Sequence, residues 1–158
     1  MKSGSSLDER DRQILTLLQQ NADYPISKMA SLLHLSESAC WRRIKRLEED
    51  EFIARRVVLL NRARMHLPTT VYVFVKTSNH SMEWLEQFRS LVSEIPEITE
   101  CHRLTGDVDY LMKIVLPNVE HWDNIYKKLV GGLRFFNISS YISMEEIKAT
   151  TAIPAGYI

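Results

Sequence analysis

The sequence predicts an α+β fold in two parts, a small helical domain followed by a domain in which strands and helices alternate. Up to about residue 52, apolar residues recur at helical spacing between polar turns, and from residue 69 onwards β-branched runs alternate with helical segments. The charge divides at nearly the same place. There are 12 Lys and Arg against 9 Asp and Glu up to Arg64, and 8 against 11 after it. A chain of 158 residues has room for two small domains.

Three helices are predicted in the first part. The first spans about residues 8–21 with Asp8 as its N-cap, and the breakers in NADYP follow it. The second is short and is capped by Ser27. A tight turn, HLS, separates it from a third helix, which is capped by Ser36. A helix, a short turn and a second helix, preceded by another helix, form the outline of a helix-turn-helix domain.

The third helix carries an unusual concentration of charge. The stretch SESACWRRIKRLEEDEFI places four basic residues within five positions, and four acidic residues follow directly. Cys40, Ile44 and Leu47 recur at spacings of four and three residues, so they share the buried face. A helix in the DNA major groove presents its N-terminal half to base edges and its basic flanks to phosphates. The alternative is a solvated face with ion pairs between residues four apart.

The segment after the third helix, FIARRVVLLN, is β-branched and apolar with a basic pair inside it. It is typical of a strand or hairpin, which would be the wing of a winged helix-turn-helix domain and would touch the DNA backbone. Protection of a strand edge by charge is the alternative. The predicted DNA-binding set comprises Ser36, Ser38, Trp41, Arg42, Arg43, Lys45, Arg46, Arg55 and Arg56.

The second part predicts the order β-α-β-β-α-β. A strand at about 69–77 precedes a helix capped by Ser81, and two strands are joined at TGDVD. A helix capped by Asn118 ends at a Gly pair, and ISSYISMEEIKAT is the last strand. This order is the ferredoxin-like arrangement, with two helices on one face of an antiparallel sheet. Because VYVFV and YLMKIVL are apolar on both faces, the other face needs a cover, and we expect a homodimer.

The turn LTGDVDYL combines features that would suit a free amino acid. Gly106 permits positive φ, and Asp107 and Asp109 place two carboxylates beside apolar neighbours. Backbone groups, an acid and an apolar wall are the groups that such a ligand needs. Gly and Asp are also favoured in ordinary turns, so the residues alone favour a plain hairpin.

The sequence predicts no metal site, no catalytic residues and no cofactor. Cys101 and His102 are adjacent, so on a strand they point to opposite faces and do not chelate one ion together. Neither a Walker motif nor G-x-S-x-G occurs. No apolar run reaches the roughly 18 residues of a membrane helix, and Met1–Leu7 has no apolar core of a signal peptide. Two cysteines suit a reduced chain, so we expect a cytoplasmic protein without a membrane partner.

Four stretches together resemble the Lrp/AsnC family, the feast/famine transcription factors of bacteria and archaea. They are LDERDRQILTLLQQ, ISKMASLLHLSESACWRRIKRLEEDEFI, ECHRLTGDVDYLMKI and SYISMEEIK, and they cover nearly the whole chain in family order. The residues predict a flexible, small and polar N-terminus at 1–6 and a linker at 62–68 that Pro68 closes. The resemblance implies that the part at 7–61 is a winged helix-turn-helix domain and that the part at 69–158 is an effector-binding, oligomerising domain of the RAM type. It also implies a dimer through the sheets that assembles further to tetramers or octamers.

The resemblance further implies an amino-acid effector, with leucine or methionine as the default, bound between dimers near the TGDVDY hairpin. The effector candidates are Thr105, Gly106, Asp107, Asp109 and Tyr110, with Ser140 and Ile142 contributed by the adjoining dimer. Two residues depart from the family pattern, which commonly has Gly at both positions. His34 would strain the helix-turn-helix turn slightly, and Glu51 would allow the third helix to run longer.

The expected function is that of a sequence-specific DNA-binding transcriptional regulator, not an enzyme, whose assembly or DNA affinity responds to an amino acid. Two alternatives remain open at this stage. One is a haem-biosynthesis decarboxylase of the siroheme type on the same two-domain build, in which His102 and Arg103 would serve the carboxylates of a tetrapyrrole. The other is an architectural DNA-binding protein without an effector.

Overall fold

The computed structural model describes residues 6–157, which form two units. The helical unit contains the chain up to Leu59 together with the chain from Lys148 onwards. The sheet unit contains Leu60–Ile147. Apart from Ser6, the predicted flexible N-terminus lies outside the described residues. None of the helices in the described part is long and apolar enough to cross a membrane.

The helical unit has the three helices that the sequence predicts, α1 (Glu9–Gln20), α2 (Ile26–Leu32) and α3 (Glu37–Glu49). The predicted cap of α1 is confirmed, since Asp8 Oδ1 accepts a hydrogen bond from the Asp11 N–H at 2.8 Å. The Asp11 carboxylate returns a bond to the Asp8 N–H at 3.1 Å, which completes a capping box.

Of the N-caps predicted for α2 and α3, only that of α3 is found in the structure. The Ser36 hydroxyl accepts from the Ala39 N–H at 3.2 Å, so the predicted cap of α3 is confirmed. The predicted cap of α2 at Ser27 is wrong. Its N-cap is Pro25, two residues earlier, and the helix begins at Ile26 without a side-chain cap bond.

The three helices bury one apolar cluster. Cys40, Ile44 and Leu47 are among its buried residues, so the predicted inner face of α3 is confirmed. The other members come from the chain before α1 and from α1, α2 and the turn after α2. They are Leu7, Ile14, Met29, Ala30 and Leu33.

Two residues of this unit adopt the left-handed conformation although neither is Gly. His34 has φ 52° and Glu51 has φ 61°. At His34 the Leu35 N–H bonds to the Ala30 carbonyl at 2.9 Å, which is the Schellman ending of a helix. His34 therefore has the positive φ at which the sequence predicted slight strain, and the strain itself stays a prediction. The longer third helix is wrong, because α3 ends at Glu49 and Glu51 takes the conformation that Gly would have.

We predict that His34→Gly and Glu51→Gly each raise the free energy of unfolding by about 0.5–1 kcal/mol, because Gly removes the cost of a Cβ at positive φ. Part of that gain is lost, since Gly also makes the unfolded chain more flexible. Chemical denaturation followed by circular dichroism measures the change. His34→Ala is the control, since Ala keeps the Cβ. A gain as large in His34→Ala as in His34→Gly would contradict the explanation.

The segment predicted as a strand or wing hairpin forms neither. Residues 54–61 contain no strand, and they expose a run of apolar side chains in which Val58 is 86% accessible. The side chain of Arg56 anchors the segment to the helical unit, since its Nη1 donates to the Ala22 carbonyl at 2.9 Å. A strand needs a hydrogen-bonded partner, and the described chain supplies none here.

The C-terminal segment belongs to the helical unit. The side-chain amide of Gln19, near the end of α1, makes two hydrogen bonds with the backbone of Ile153. Gln19 Nε2 donates to the Ile153 carbonyl at 3.0 Å, and the Ile153 N–H donates to Gln19 Oε1 at 2.7 Å. A short 3-10 helix, Ala155–Tyr157, follows and lies against α1. A primary amide can thus hold an extended backbone as a neighbouring strand would.

The sheet unit has the predicted order β-α-β-β-α-β, which is confirmed. Its strands and helices form one four-stranded antiparallel sheet with the spatial order β2-β3-β1-β4. The elements are β1 (Thr69–Lys76), α4 (Met82–Glu94), β2 (Ile98–Arg103), β3 (Tyr110–Leu116), α5 (His121–Gly132) and β4 (Asn137–Ile142).

One face of the sheet is buried beneath the helices. Val71, Val73 and Val75 alternate along β1 and are fully buried, and the core also contains Trp84 and Phe88 of α4. The α4 cap at Ser81 is confirmed by a hydrogen bond from the Trp84 N–H. The cap predicted at Asn118 is confirmed as a hydrogen bond, since its Oδ1 accepts from the His121 N–H at 3.1 Å, although the regular helix α5 begins only at His121. The Gly pair forms the last turn of α5 instead of following it, and a Cβ on Gly132 would lie 3.0 Å from the methyl carbons of Leu91.

Neither of the two helices of the sheet unit packs on the other face of the sheet. Phe74 and Tyr141 meet there edge to face with ring centroids 5.5 Å apart, and Tyr141 is 59% accessible. A polar pair, Lys113 Nζ to Glu100 Oε1 at 2.9 Å, lies on the neighbouring strands. This face is therefore aromatic on the β1–β4 side and charged on the β2–β3 side.

Candidate nucleic-acid interface and ligand hairpin

The exposed face of α3 brings together four of the predicted DNA-binding residues. Ser38, Trp41, Arg42 and Lys45 are all exposed, and their spacing of three, four and seven residues places them on one side of the helix. The opposite side is the buried face, so this direction is fixed by packing. The surface offers a hydroxyl, an aromatic ring and two cationic groups to a partner.

Arg43 and Arg46 do not project with that face, because both bind a buried acid of α1. Arg43 Nη1 lies 2.8 Å from Asp11 Oδ1 and 2.6 Å from Asp8 Oδ2. Arg46 donates to the other oxygen of Asp11. The Asp11 side chain is only 1% accessible, so water cannot solvate its charge. These two guanidinium groups and the Asp8 N–H bind the carboxylate instead. The two arginines predicted to contact phosphate therefore already have acidic partners.

The charges in this cluster stabilise one another. Burial alone would raise the pKa of Asp8, but the Asp11 N–H and the Arg43 guanidinium hold it below its ordinary value. Hydrogen bonds to Asp8 and to Asp11 raise the pKa of Arg43. The ionised forms of Asp8 and Arg43 are thus favoured by their neighbours, and the cluster joins the start of α1 to the middle of α3.

The remaining cationic residues of the predicted set divide into paired and unpaired groups. Glu48 Oε2 accepts from Lys45 Nζ at 2.9 Å and Glu48 Oε1 from Arg56 Nη2 at 3.1 Å. The bond from Lys45 is the main reason that the pKa of Glu48 lies below its ordinary value. Arg42 and Arg55 have no ion pair with any residue in 6–157. These two are the cations most available to a phosphate or a base.

The structure adds Asp8 and Asp11 to the residues that shape this surface, since they bind Arg43 and Arg46, whereas the sequence predicted Asp8 only as the cap of α1. The sequence does contain a signal that Asp11 is buried. Asp11 precedes Ile14 by three residues and therefore shares the buried face of α1. A buried carboxylate needs a paired positive charge, and the basic residues of α3 were the nearest cations that the sequence predicted.

The predicted effector hairpin joins β2 to β3 and is exposed at its tip. Thr105, Gly106 and Asp107 are exposed, and Gly106 has φ 124°, a conformation that side chains rarely adopt. Asp109 has a structural role as well, since its Oδ2 accepts from the Thr77 N–H at 2.8 Å. Its backbone is also fixed, because the Asp109 N–H donates to the Val75 carbonyl at 2.9 Å.

The other three effector candidates lie in different surroundings. Tyr110 is buried under the helices, with its ring centroid 4.6 Å from that of Phe88, so it does not line an open surface of this chain. Ser140 and Ile142 are exposed on β4, the edge strand opposite β2. Within one chain these two residues are not brought together with the hairpin. No group of three metal-binding side chains occurs among residues 6–157.

Two family models match the chain, one over the three helices and one over the sheet unit and a few residues beyond it. Residues 7–48 match the AsnC-type helix-turn-helix domain, and residues 70–153 match the Lrp/AsnC ligand binding domain. Together they span most of the described sequence.

Similar proteins match over nearly their whole length. The HTH-type transcriptional regulator Zrp of Zymomonas mobilis is 49% identical over 152 residues, which are 96% of this chain and 99% of that protein. The DNA-binding transcriptional activator DecR of Escherichia coli K12 is 37% identical, with 94% of this chain and 98% of DecR covered.

Solved structures of two regulators are similar to this chain over nearly its whole length. An AsnC family transcriptional regulator from Agrobacterium tumefaciens has a TM-score of 0.91 and 41% identity, with 96% of this chain and 99% of the other covered. A transcriptional regulator from Neisseria meningitidis, solved in complex with L-Met, has a TM-score of 0.90 and 27% identity, with 96% and 98% covered.

Proposed function

Since the chain belongs to the Lrp/AsnC family of DNA-binding transcriptional regulators and has both its helix-turn-helix and its ligand-binding domain, we propose that it binds specific DNA sequences through α3 and adjusts this binding to a free amino acid. The observation that carries the proposal is the exposed face of α3. Ser38, Trp41 and Arg42 lie in its N-terminal half, which is the part that meets base edges in a helix-turn-helix complex.

The DNA-binding half of the proposal is supported by the charge distribution. Arg42 and Arg55 are exposed and carry no ion pair within the described chain, whereas Arg43 and Arg46 are bound to Asp11. Phosphate attracts unpaired cations most strongly, because a paired guanidinium must first break its existing bonds. We therefore assign the principal DNA contacts to Arg42, at a base edge, and to Arg55, at a phosphate, with Lys45 beside Arg42.

The amino-acid half rests on the hairpin and on the relatives. The Neisseria regulator was solved with L-Met, and other relatives are named for leucine or glutamate. The exposed tip offers the Asp107 carboxylate to an ammonium group and the backbone around Gly106 to a carboxylate. We propose leucine or methionine as the effector, with Ser140 and Ile142 supplied by a neighbouring dimer.

The proposed assembly begins with a homodimer in which the helix-free faces of two sheets meet. The Phe74–Tyr141 pair supplies the apolar part of that face, and exposed aromatic groups are typical of interfaces. Dimers then join as tetramers or octamers, so that an effector bound between them alters which DNA sites can be held together. A regulator of this kind would act in the cytoplasm.

We predict that one of the twenty amino acids raises the melting temperature and that Asp107→Asn weakens its binding at least about tenfold, because Asn keeps the shape of the side chain but not the charge. Isothermal titration calorimetry measures the affinity. Asp23→Asn, an exposed Asp of the helical unit, is the matched control and should bind as the wild type does.

Equal binding by Asp107→Asn and the wild type would place the effector elsewhere. If none of the twenty amino acids changed either the melting temperature or the DNA affinity, the amino-acid half of the proposal would be wrong. The DNA half would remain and would describe an architectural or constitutive regulator.

A further inference from the structure

Trp41 is the one large apolar side chain that α3 exposes. It is 53% accessible, whereas the apolar residues of the inner face, Cys40, Ile44 and Leu47, are at most 5% accessible. Its recorded ring contact is with a cation, the Lys45 Nζ, which lies 5.9 Å from the ring centroid. The indole therefore contributes little to the core of the helical unit, and its exposure calls for another explanation.

The position of Trp41 directs its ring toward base edges rather than phosphates. It lies in the second turn of α3, one turn after Ser38 and next to Arg42, on the face opposite the buried one. In a helix-turn-helix complex, the first turns of the recognition helix reach deepest into the major groove. Lys45, the cation beside the ring, would then lie near the edge of the groove, where the phosphates are.

The chemistry of the major groove leaves one natural partner for an indole ring. Guanine, cytosine and adenine present hydrogen-bonding groups there, and only thymine presents an apolar group, its C5-methyl. An aromatic ring packed on that methyl removes apolar area from water on both sides. A polar base edge opposite the same ring would lose its hydration without a replacement.

We propose that Trp41 is a specificity-determining residue that selects a T·A pair by packing against the thymine C5-methyl group. This inference rests on the proposed binding of specific DNA through α3. At one position of each half-site, an apolar contact by Trp41 would distinguish T·A from the other base pairs. Arg42 would supply hydrogen bonds at a neighbouring position.

The test begins with duplexes selected from random DNA by the wild-type protein. Each thymine of the selected site is then replaced by uracil, which removes only the methyl group. The wild type should lose about fourfold in affinity at one thymine of the half-site, the change expected for one buried methyl group. Trp41→Ala should bind more weakly overall and show no loss at that thymine. Arg42→Ala should also bind more weakly but should keep the fourfold loss.

The possible results separate the inference from the function on which it rests. If no sequence is enriched by selection, the proposed sequence-specific binding itself fails. If a site is enriched but no uracil replacement weakens binding, or Trp41→Ala keeps the same sensitivity, Trp41 does not read a methyl group. Loss of affinity with 7-deazapurine that disappears in Trp41→Ala would instead show an indole N–H bond to a purine, which also overturns the inference. Unchanged melting of Trp41→Ala and Trp41→Phe verifies that both variants are folded.

Discussion

Replacement of Asp11 by Ala is expected to destabilise the helical unit by about 3 kcal/mol, because removal of one member of a buried ion cluster leaves the other charges without compensation. Arg43 and Arg46 both donate to this carboxylate, and Asp11 is fully buried. Both arginines still reach water in part, so the loss should fall at the lower end of the range for such clusters. Urea denaturation followed by far-ultraviolet circular dichroism measures it.

The matched control for Asp11→Ala is Glu9→Ala, in the same turn of α1. The Glu9 side chain is 71% accessible and pairs with Arg12 only at the surface, with Glu9 Oε2 and Arg12 Nε 3.5 Å apart. Its removal should change the free energy of unfolding by less than about 1 kcal/mol. If the two variants lost the same stability, the Asp11 cluster would have no special role in holding α3 against α1.

The second large effect is expected in DNA binding. Arg42→Ala should lower the affinity for a selected DNA site about tenfold, within the range for one lost base contact by an arginine. Arg43→Lys should stay within about threefold of the wild type, because the cation at 43 serves Asp8 and Asp11. Fluorescence anisotropy at several salt concentrations measures both the affinity and its salt dependence.

The salt dependence of DNA binding shows whether Arg43 contacts a phosphate. Each phosphate contact contributes about 0.9 to the slope of log affinity against log salt concentration. Arg43→Lys should leave that slope unchanged, and so should Arg43→Gln if the protein remains folded. A slope that falls by about one unit in Arg43→Gln, but not in Arg42→Ala, would mean that Arg43 leaves its carboxylates for a phosphate on binding.

Local patterns were sufficient to predict much of the fold. Cys40, Ile44 and Leu47 defined the inner face of α3 by their spacing, and Ser36 and Ser81 marked helix starts through hydroxyl groups. The β-branched run at about 69–77 likewise predicted β1, although its two apolar faces did not show that Val71 and Val73 lie on the side under the helices. Each of these signals depends on residues a few positions apart.

Interactions between distant segments account for what the patterns missed. The partners of Arg43 and Arg46 lie 32–35 residues away on another helix, beyond any periodicity of α3. The run after α3 has strand composition but lacks a partner strand within the described chain. Tyr110 is a different case, because strand alternation already placed it on the same face as Met112 and could have assigned it to the core.

The return of the chain to α1 makes the ligand-binding unit an insertion. Leu60–Ile147 is flanked on both sides by segments of the helical unit, and the second of these is fixed by the two bonds between Gln19 and Ile153. A truncation before Lys148, or a bulky purification tag joined to the last residues, would therefore alter the DNA-binding unit first. Variants of this protein are best compared with residues 148–157 intact and with any tag cleaved away.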